Sequence, residues 1–359
     1  MPKPLSEQVI VITGASSGIG LATALEAARR GARVVLAARN RRDLEQAVGQ
    51  IERAGGSALA VPTDVTVFDE VQTLAQRAVE SFGRIDSWIN NAAVSAYAPF
   101  VDQSLDDVRR IMDVNFMGQV YGAKVALPHL ERSHGALVCV GSTLSDRGVP
   151  LQGIYCASKH ALKGWLDSLR VELLQARSHV RVTLVKPSSI NTPLFNKAKT
   201  QMGVAPQPIP PIYEPELAVE AILRAVEGDV RDAFVGGAGK LLSVAERISP
   251  KLVDLQQWAQ GFASQQTDWP KSASAASNLH QPMEHDGGVR GDFGRDAHKR
   301  SAYQSLEAHS LIASLAASAA LALAAGAARE RDNRGLAALL TAGSVACAGK
   351  ALLGRLYAS

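Results

Sequence analysis

Four side chains carry chemistry at spacings that suit proton transfer next to a carbonyl or alcohol carbon: Asn115, Ser142, Tyr155 and Lys159. Tyr155 and Lys159 stand four apart where a helical pattern begins, so their side chains share one face. A free phenol titrates near about 10 and is a poor base at neutral pH, but an adjacent ammonium stabilises the phenolate and lowers that value. Such a pair can give or take a proton in carbonyl–alcohol chemistry. Ser142 follows an apolar run at 135–141, where its hydroxyl can hold a carbonyl oxygen as charge develops. Asn115 falls inside a long helical pattern, a locally unfavourable place for Asn unless something uses it. Each has a bland reading as well: a helix face, a turn serine, a solvated asparagine. Their order along the chain, behind a glycine loop, gives the set its weight.

That loop runs Thr13-Gly14-Ala15-Ser16-Ser17-Gly18-Ile19-Gly20, after one apolar run and at the start of a helix. Helix-start amides and the helix dipole suit a dinucleotide pyrophosphate there. Gly14 permits the turn, Gly18 admits the phosphates, and Gly20 lets the helix pack on the strand. The next strand ends in Ala37-Ala38-Arg39-Asn40-Arg41-Arg42. A carboxylate at its end would select NAD through the ribose hydroxyls. None is present, and Arg39 can grip a 2′-phosphate through its planar fork. NADP is therefore expected ahead of NAD.

These residues need a scaffold. Short apolar runs at 9–13, 33–37, 58–62, 86–90, 135–141, 180–185 and 233–235 read as strands. Helical patterns at 19–30, 42–54, 67–82, 108–127, 157–175 and 218–227 separate them. Strands alternating with such helices imply right-handed crossovers and an α/β, doubly wound, Rossmann-like parallel sheet covered on both faces. This domain is expected over 1–240. A stretch at 191–213, rich in Pro and Lys, reads as a lid over the substrate. Its apolar Leu194, Phe195, Met202 and Ile209 favour an apolar substrate over a charged sugar.

The remaining third departs from that pattern, as a C-terminal helical extension. Residues 241–265 read as an amphipathic helical segment with an apolar stripe, broken at Pro250. Residues 266–305 are polar, without apolar period, and read as a flexible linker; the Arg-Gly-Asp at 290–292 falls there by chance. Residues 306–357 read as an apolar helical hairpin with uncharged runs at 311–328 and 335–349. The first is just long enough to cross a bilayer, and both are Ala-rich. A membrane anchor and a soluble hairpin packed on protein both stand as readings.

The 359 residues carry a net charge of +4, with 47% hydrophobic and 20% charged residues. That balance, with no dense basic stripe, argues against a nucleic-acid partner. Cys139, Cys156 and Cys347 have neither disulfide nor metal spacing, and no secretory signal precedes the first strand. A cytoplasmic, reducing setting is expected, with membrane association through 311–349 under the anchor reading. No metal is implied. Cys156 has no histidine at a spacing that would make it a nucleophile.

Together these motifs closely resemble the short-chain dehydrogenase/reductase family over residues 8–237, close to two-thirds of the chain. The resemblance rests on the loop at 13–20, Asn90-Asn91-Ala92, Asn115, Ser142 and Tyr155-x-x-x-Lys159. It implies Tyr155 as acid/base, Ser142 polarising the substrate, and Lys159 binding the nicotinamide ribose and tuning Tyr155. Asn115 would hold a water in the proton relay. Asp64 and Val65 would flank the adenine, Asn91 and Ala92 would support the cofactor, and Pro187, Ile190 and Thr192 would line the nicotinamide side. Ala93 and Ser188-Ser189 stand where the family commonly has glycine, which touches nicotinamide fit more than chemistry. The resemblance also implies a small-molecule carbonyl or alcohol substrate and a homo-oligomer. The competing reading is a non-catalytic NADP(H)-binding module docked through its tail, for which an intact set of four reactive residues has no use.

Overall fold

The computed structural model describes residues 2–285 and 287–304, together with Ser318, Ala324, Thr341 and Ser344. The chain divides into two compact units, Pro2–Lys299 and a second covering residues 300–359 with Met1.

In the first unit seven strands form one parallel sheet: β1 (Val9–Thr13), β2 (Arg33–Ala38), β3 (Ser57–Pro62), β4 (Ser87–Asn90), β5 (Ala136–Val140), β6 (Arg181–Pro187) and β7 (Asp232–Val235). Their spatial order is β7-β6-β5-β4-β1-β2-β3. This is the expected doubly wound, Rossmann-like architecture. Every residue of β1, β4 and β5 is buried, as strands covered on both faces require. Alternation sorts them: Ile10 and Ile12 of β1 pack in one core cluster, Val9 and Val11 in the other. The first cluster takes in α1 (Gly18–Arg29), α2 (Arg41–Arg53) and, later in the chain, the helix Pro215–Glu227. The second takes in α3 (Phe68–Phe82), residues of Gly118–Ser133 and residues of Gly153–Gln175.

Local chemistry sets the helix ends. Asn40 caps α2 by accepting from the Asp43 amide at 3.2 Å. Gly83, at φ 79°, closes α3 in a left-handed conformation. The helix expected over 108–127 is α4 (Leu105–Met112), one π turn (Asp113–Met117) and α5 (Gly118–Ser133). Next come α6 (Gly153–Gln175), the short α7 (Leu194–Lys197), α8 (Pro215–Glu227), α9 (Gly237–Ile248) and α10 (Pro250–Gln256). The amphipathic segment thus breaks at Pro250, whose ring and missing amide fit a first helical turn.

One expectation needs correction, and another gains detail. Residues 191–213, expected as a lid over the substrate, carry short pairings. Lys199–Thr200 pairs with Ala96–Tyr97, and Ile212–Tyr213 with Ser189–Ile190. The stretch expected as a flexible linker is laid on the fold as far as His298. Gln266–Pro270 pairs antiparallel with Val204–Pro206, and Ala297–His298 pairs with Ile212–Tyr213. Leu279 is fully buried, and Phe293 stacks on Trp269 with centroids 5.7 Å apart. Backbone hydrogen bonds and single apolar anchors hold this segment, so it shows no apolar period.

In the second unit Ser318 and Ser344 exchange side-chain-to-carbonyl hydrogen bonds at 3.0 Å. Apart from Ser318, Ala324, Thr341 and Ser344, the hairpin expected over 306–357, including Cys347, lies outside the described residues. Among the described residues no helix is long and apolar enough to cross a membrane; the runs that carry the anchor reading, 311–328 and 335–349, fall almost wholly outside them.

Candidate active site

The sheet order reverses between β1 and β4, and a crevice at the carboxyl ends of strands is expected at such a switch. A cavity of about 820 Å³ opens there. Arg39, Asp64 and Val65 line one end. Gly14, Ser16, Ser17, Gly18, Ile19, Asn91 and Ala92 line the middle. Ser142, Tyr155, Lys159, Pro187, Ile190 and Thr192 line the far end. The structure therefore gathers nearly all the sequence-derived site residues along one groove. Gly20 and Asn115 stand outside its lining.

The loop's glycines are sterically required. Gly14 has φ +67°, and a Cβ there would lie 2.7 Å from the Ala92 Cα. A Cβ on Gly20 would lie 2.3 Å from the Gly14 carbonyl oxygen, so Gly20 serves loop packing. Asn91 fixes the loop to the end of β4, its Nδ2 donating to the carbonyls of Thr13 at 2.9 Å and Gly14 at 3.1 Å. The Thr13 hydroxyl accepts from the Asn91 amide in return. The resulting concave, glycine-walled cradle fits the pyrophosphate of a dinucleotide. One helix-start amide is already used: Gly18 N–H donates to the Gly288 carbonyl at 3.0 Å.

At the far end Tyr155 and Ser142 are both buried and line the same cavity. The Ser142 Oγ accepts from the Leu144 amide at 3.1 Å, which orients it. Lys159 is 1% exposed; its Nζ lies 5.6 Å from the Tyr155 ring centroid and donates to the Val140 carbonyl at 3.0 Å. Burial lowers the Lys159 ammonium to about 8. Burial raises the Tyr155 phenol, with the Ser142 hydroxyl pulling the other way. The expected depression of the phenol is thus not what this environment produces: desolvation raises it, and the phenol stays protonated.

Asn115 sits fully buried in the π turn. Its Oδ1 accepts from the Val94 amide at 2.8 Å, and its Nδ2 donates to the Val94 carbonyl and to Ser158 Oγ. The side chain therefore ties α4–α5 to the loop after β4 and to α6. The π turn explains how a mid-helix Asn is accommodated.

Arg39 stands at the end of β2, but its guanidinium donates to the carbonyls of His280, at 3.0 Å, and Asn278. Asp64 accepts from Arg110 at 2.8 Å and from Thr66. Burial alone would raise its carboxyl, but these partners hold it below the usual range.

Sequence reasoning missed Asp146. Just past Ser142, with its side chain 4% exposed, it accepts from Lys163 of α6 at 2.6 Å, Lys186 of β6 at 3.1 Å and Ser243 of α9 at 3.0 Å. Its partners lie 17, 40 and 97 positions away, so no local pattern could show them. Also missed was the outer wall of the cavity, built by Leu241, Leu242 and Ile248 of α9 and Leu252 of α10. Of the apolar residues singled out in 191–213, Leu194, Phe195 and Ile209 join the lining; Met202 does not. Burial pushes the Cys156 thiol up to about 11, in keeping with an inert cysteine. Among the described residues no cluster of metal-ligating side chains occurs.

Residues 8–203 match the family described as short chain dehydrogenase. An uncharacterized oxidoreductase of Bacillus subtilis, YxnA, is 40% identical over 281 residues, spanning 77% of this chain and 79% of the relative. The 11-beta-hydroxysteroid dehydrogenase-like 3 of Arabidopsis thaliana is 37% identical over 191 residues, 52% of this chain and 60% of that one. Among solved structures, a short-chain type dehydrogenase/reductase from Mycobacterium marinum superposes with a TM-score of 0.58 at 27% identity, covering 66% of this chain and 96% of its own.

Proposed function

This chain belongs to the short chain dehydrogenase family, an NAD(P)-dependent dehydrogenase/reductase, and from that premise we propose an NADP-dependent enzyme interconverting lipophilic ketones and secondary alcohols. The observation that carries the proposal is the Ser142–Tyr155 hydroxyl pair at the floor of a cavity whose outer wall is apolar. When bound, a nicotinamide coenzyme supplies or accepts the hydride.

Ser142, oriented by the Leu144 amide, holds the substrate oxygen. Tyr155, kept protonated by burial, donates its phenolic proton to that oxygen in the reducing direction and takes it back in the reverse. Lys159 carries its charge beneath the Tyr155 ring, where it favours the phenolate once the proton has left. Asn115 is a positioning residue, holding the Val94 loop and Ser158 against α6. Arg39 and the lack of a carboxylate at the end of β2 support NADP over NAD. For the substrate, α9 and α10 present leucines at the cavity mouth: Leu241 and Leu252 line the cavity while remaining largely exposed. An apolar entrance suits a bulky lipophilic ketone, a class that includes the steroids named for the Arabidopsis relative.

A substrate panel of steroid and other lipophilic ketones, short ketones and phosphorylated sugars, run in parallel with NADPH and NADH, tests this reading. The proposal expects turnover of the lipophilic ketones with NADPH preferred. Turnover confined to phosphorylated sugars would overturn the substrate class, and a preference for NADH would overturn the coenzyme.

A further inference from the structure

The groove has a second wall that the matched family region, residues 8–203, does not supply. Residues 278–285, with 287–288 after them, cross its adenosine end and are fixed at several points. The Asn278 amide donates to the Lys197 carbonyl at 3.0 Å, and Arg110 donates to the Leu279 carbonyl at 3.0 Å. His280 bonds Asp107 at 2.8 Å, and the Gly288 carbonyl accepts from Gly18. Beyond the crossing, Arg290 pairs with Glu214 at 2.9 Å. Both flanks are pinned by the strand pairings of Gln266–Pro270 and Ala297–His298. This segment is therefore positioned whether or not anything lies beneath it.

Within it, Asn278 lines the cavity and is 7% exposed, and its Oδ1 has no hydrogen-bond partner among the described residues. A buried acceptor is ordinarily paired, and leaving one unpaired is costly. Its backbone is held on both sides, by Lys197 and by Arg39, so the residue keeps its place at the cavity wall. The adenosine half of a dinucleotide carries the matching donors, an exocyclic amine and ribose hydroxyls. Pro282 lines the same end of the cavity, offering an apolar surface to the purine.

We propose that Asn278 is a coenzyme-binding residue that accepts a hydrogen bond from the adenosine half of the coenzyme, with residues 278–285 as the wall enclosing that half. The proposal rests on the cavity being the coenzyme site. Arg39 then has two roles, since its guanidinium braces the wall through the Asn278 and His280 carbonyls while facing the same end of the groove.

The experiment uses the full chain and its Asn278→Ala variant, with affinities for NADPH, adenosine 2′,5′-bisphosphate and nicotinamide mononucleotide measured by fluorescence and calorimetry. Losing one neutral hydrogen bond predicts affinities about 5- to 10-fold weaker for the first two and unchanged for the third. Hydrogen exchange of residues 278–285 in the parent protein, with and without saturating NADP, is read alongside and needs no variant; slower exchange on saturation is expected. Unchanged bisphosphate affinity in a folded variant, an equal loss for the mononucleotide, or unaltered exchange in the parent each overturns the proposal. If the parent binds NADPH normally in those cases, the coenzyme site stands and only the wall falls. If the parent binds neither NADPH nor the bisphosphate, the coenzyme reading itself fails and takes the proposal with it.

Discussion

At the scale of single residues, burial decides what Tyr155 and Lys159 do. The phenol is raised and so remains a proton donor; the ammonium is lowered to about 8 and so stays charged only below that pH. If Lys159 must be charged to support Tyr155, reduction should slow as pH rises through about 8. Lys159→Arg should move that limb upward, as a pH profile of kcat would show. The same burial has a stability consequence. Below about 8 the folded chain holds a desolvated charge that the unfolded chain exposes to water. Between about 8 and the ordinary 10.5 the folded lysine is neutral while the unfolded one still binds a proton, so the contribution to stability rises with pH across that window. Lys159→Met should therefore melt higher than the parent at pH 7, by on the order of 2 kcal/mol, offset in part by the Val140 carbonyl left without its donor. The gain should shrink above pH 8; thermal melts at pH 7 and pH 10 with equal differences would count against it. The identity of this pair was legible in the sequence because a four-residue helical spacing is local. The direction of the phenol's shift was not, because it depends on elements that close over it.

At the scale of elements, the glycine loop and α1 were readable because glycine, strand and helix follow one another within a dozen residues. The constraint can be tested directly: Gly14→Ala would force a Cβ against Ala92 at a φ of +67°. A loss of about 2 kcal/mol in stability, together with weaker coenzyme binding, should be visible in urea melts and fluorescence titration. The break at Pro250 was equally local. What α9 and α10 face was not: an apolar stripe can cover a core or rim a cavity, and only the tertiary arrangement shows that Leu241 and Leu252 do the latter. Leu252→Ser should raise KM for lipophilic ketones several-fold and leave a short ketone such as butanone unaffected. An equal effect on both would argue that α10 supports the fold rather than the entrance. The π turn at Asp113–Met117 was read as continuous helix because no residue type there marks one widened turn.

At the scale of the whole molecule, the parallel sheet and its seven strands were legible from the alternation of apolar runs with helical patterns. The C-terminal segment was not, since polar composition alone does not separate a free linker from one held by backbone pairing. The distinction changes what truncation should do. Residues 2–299 form one compact unit, and within it Asn278 and Pro282 line the coenzyme-sized cavity. A chain ending after residue 304 should keep coenzyme affinity and activity within about twofold, whereas one ending after residue 266 should lose coenzyme binding at least ~10-fold. Equal behaviour of the two would show that the segment beyond 266 contributes nothing to the groove.

The most direct measurement is reduction of a lipophilic ketone by the parent and by Tyr155→Phe, with the NADPH Kd of each determined alongside. Removing the proton donor while keeping the ring should lower kcat by about 10²- to 10⁴-fold and leave the Kd within twofold. A Phe variant that turns over as fast as the parent would contradict the assignment of proton transfer to Tyr155.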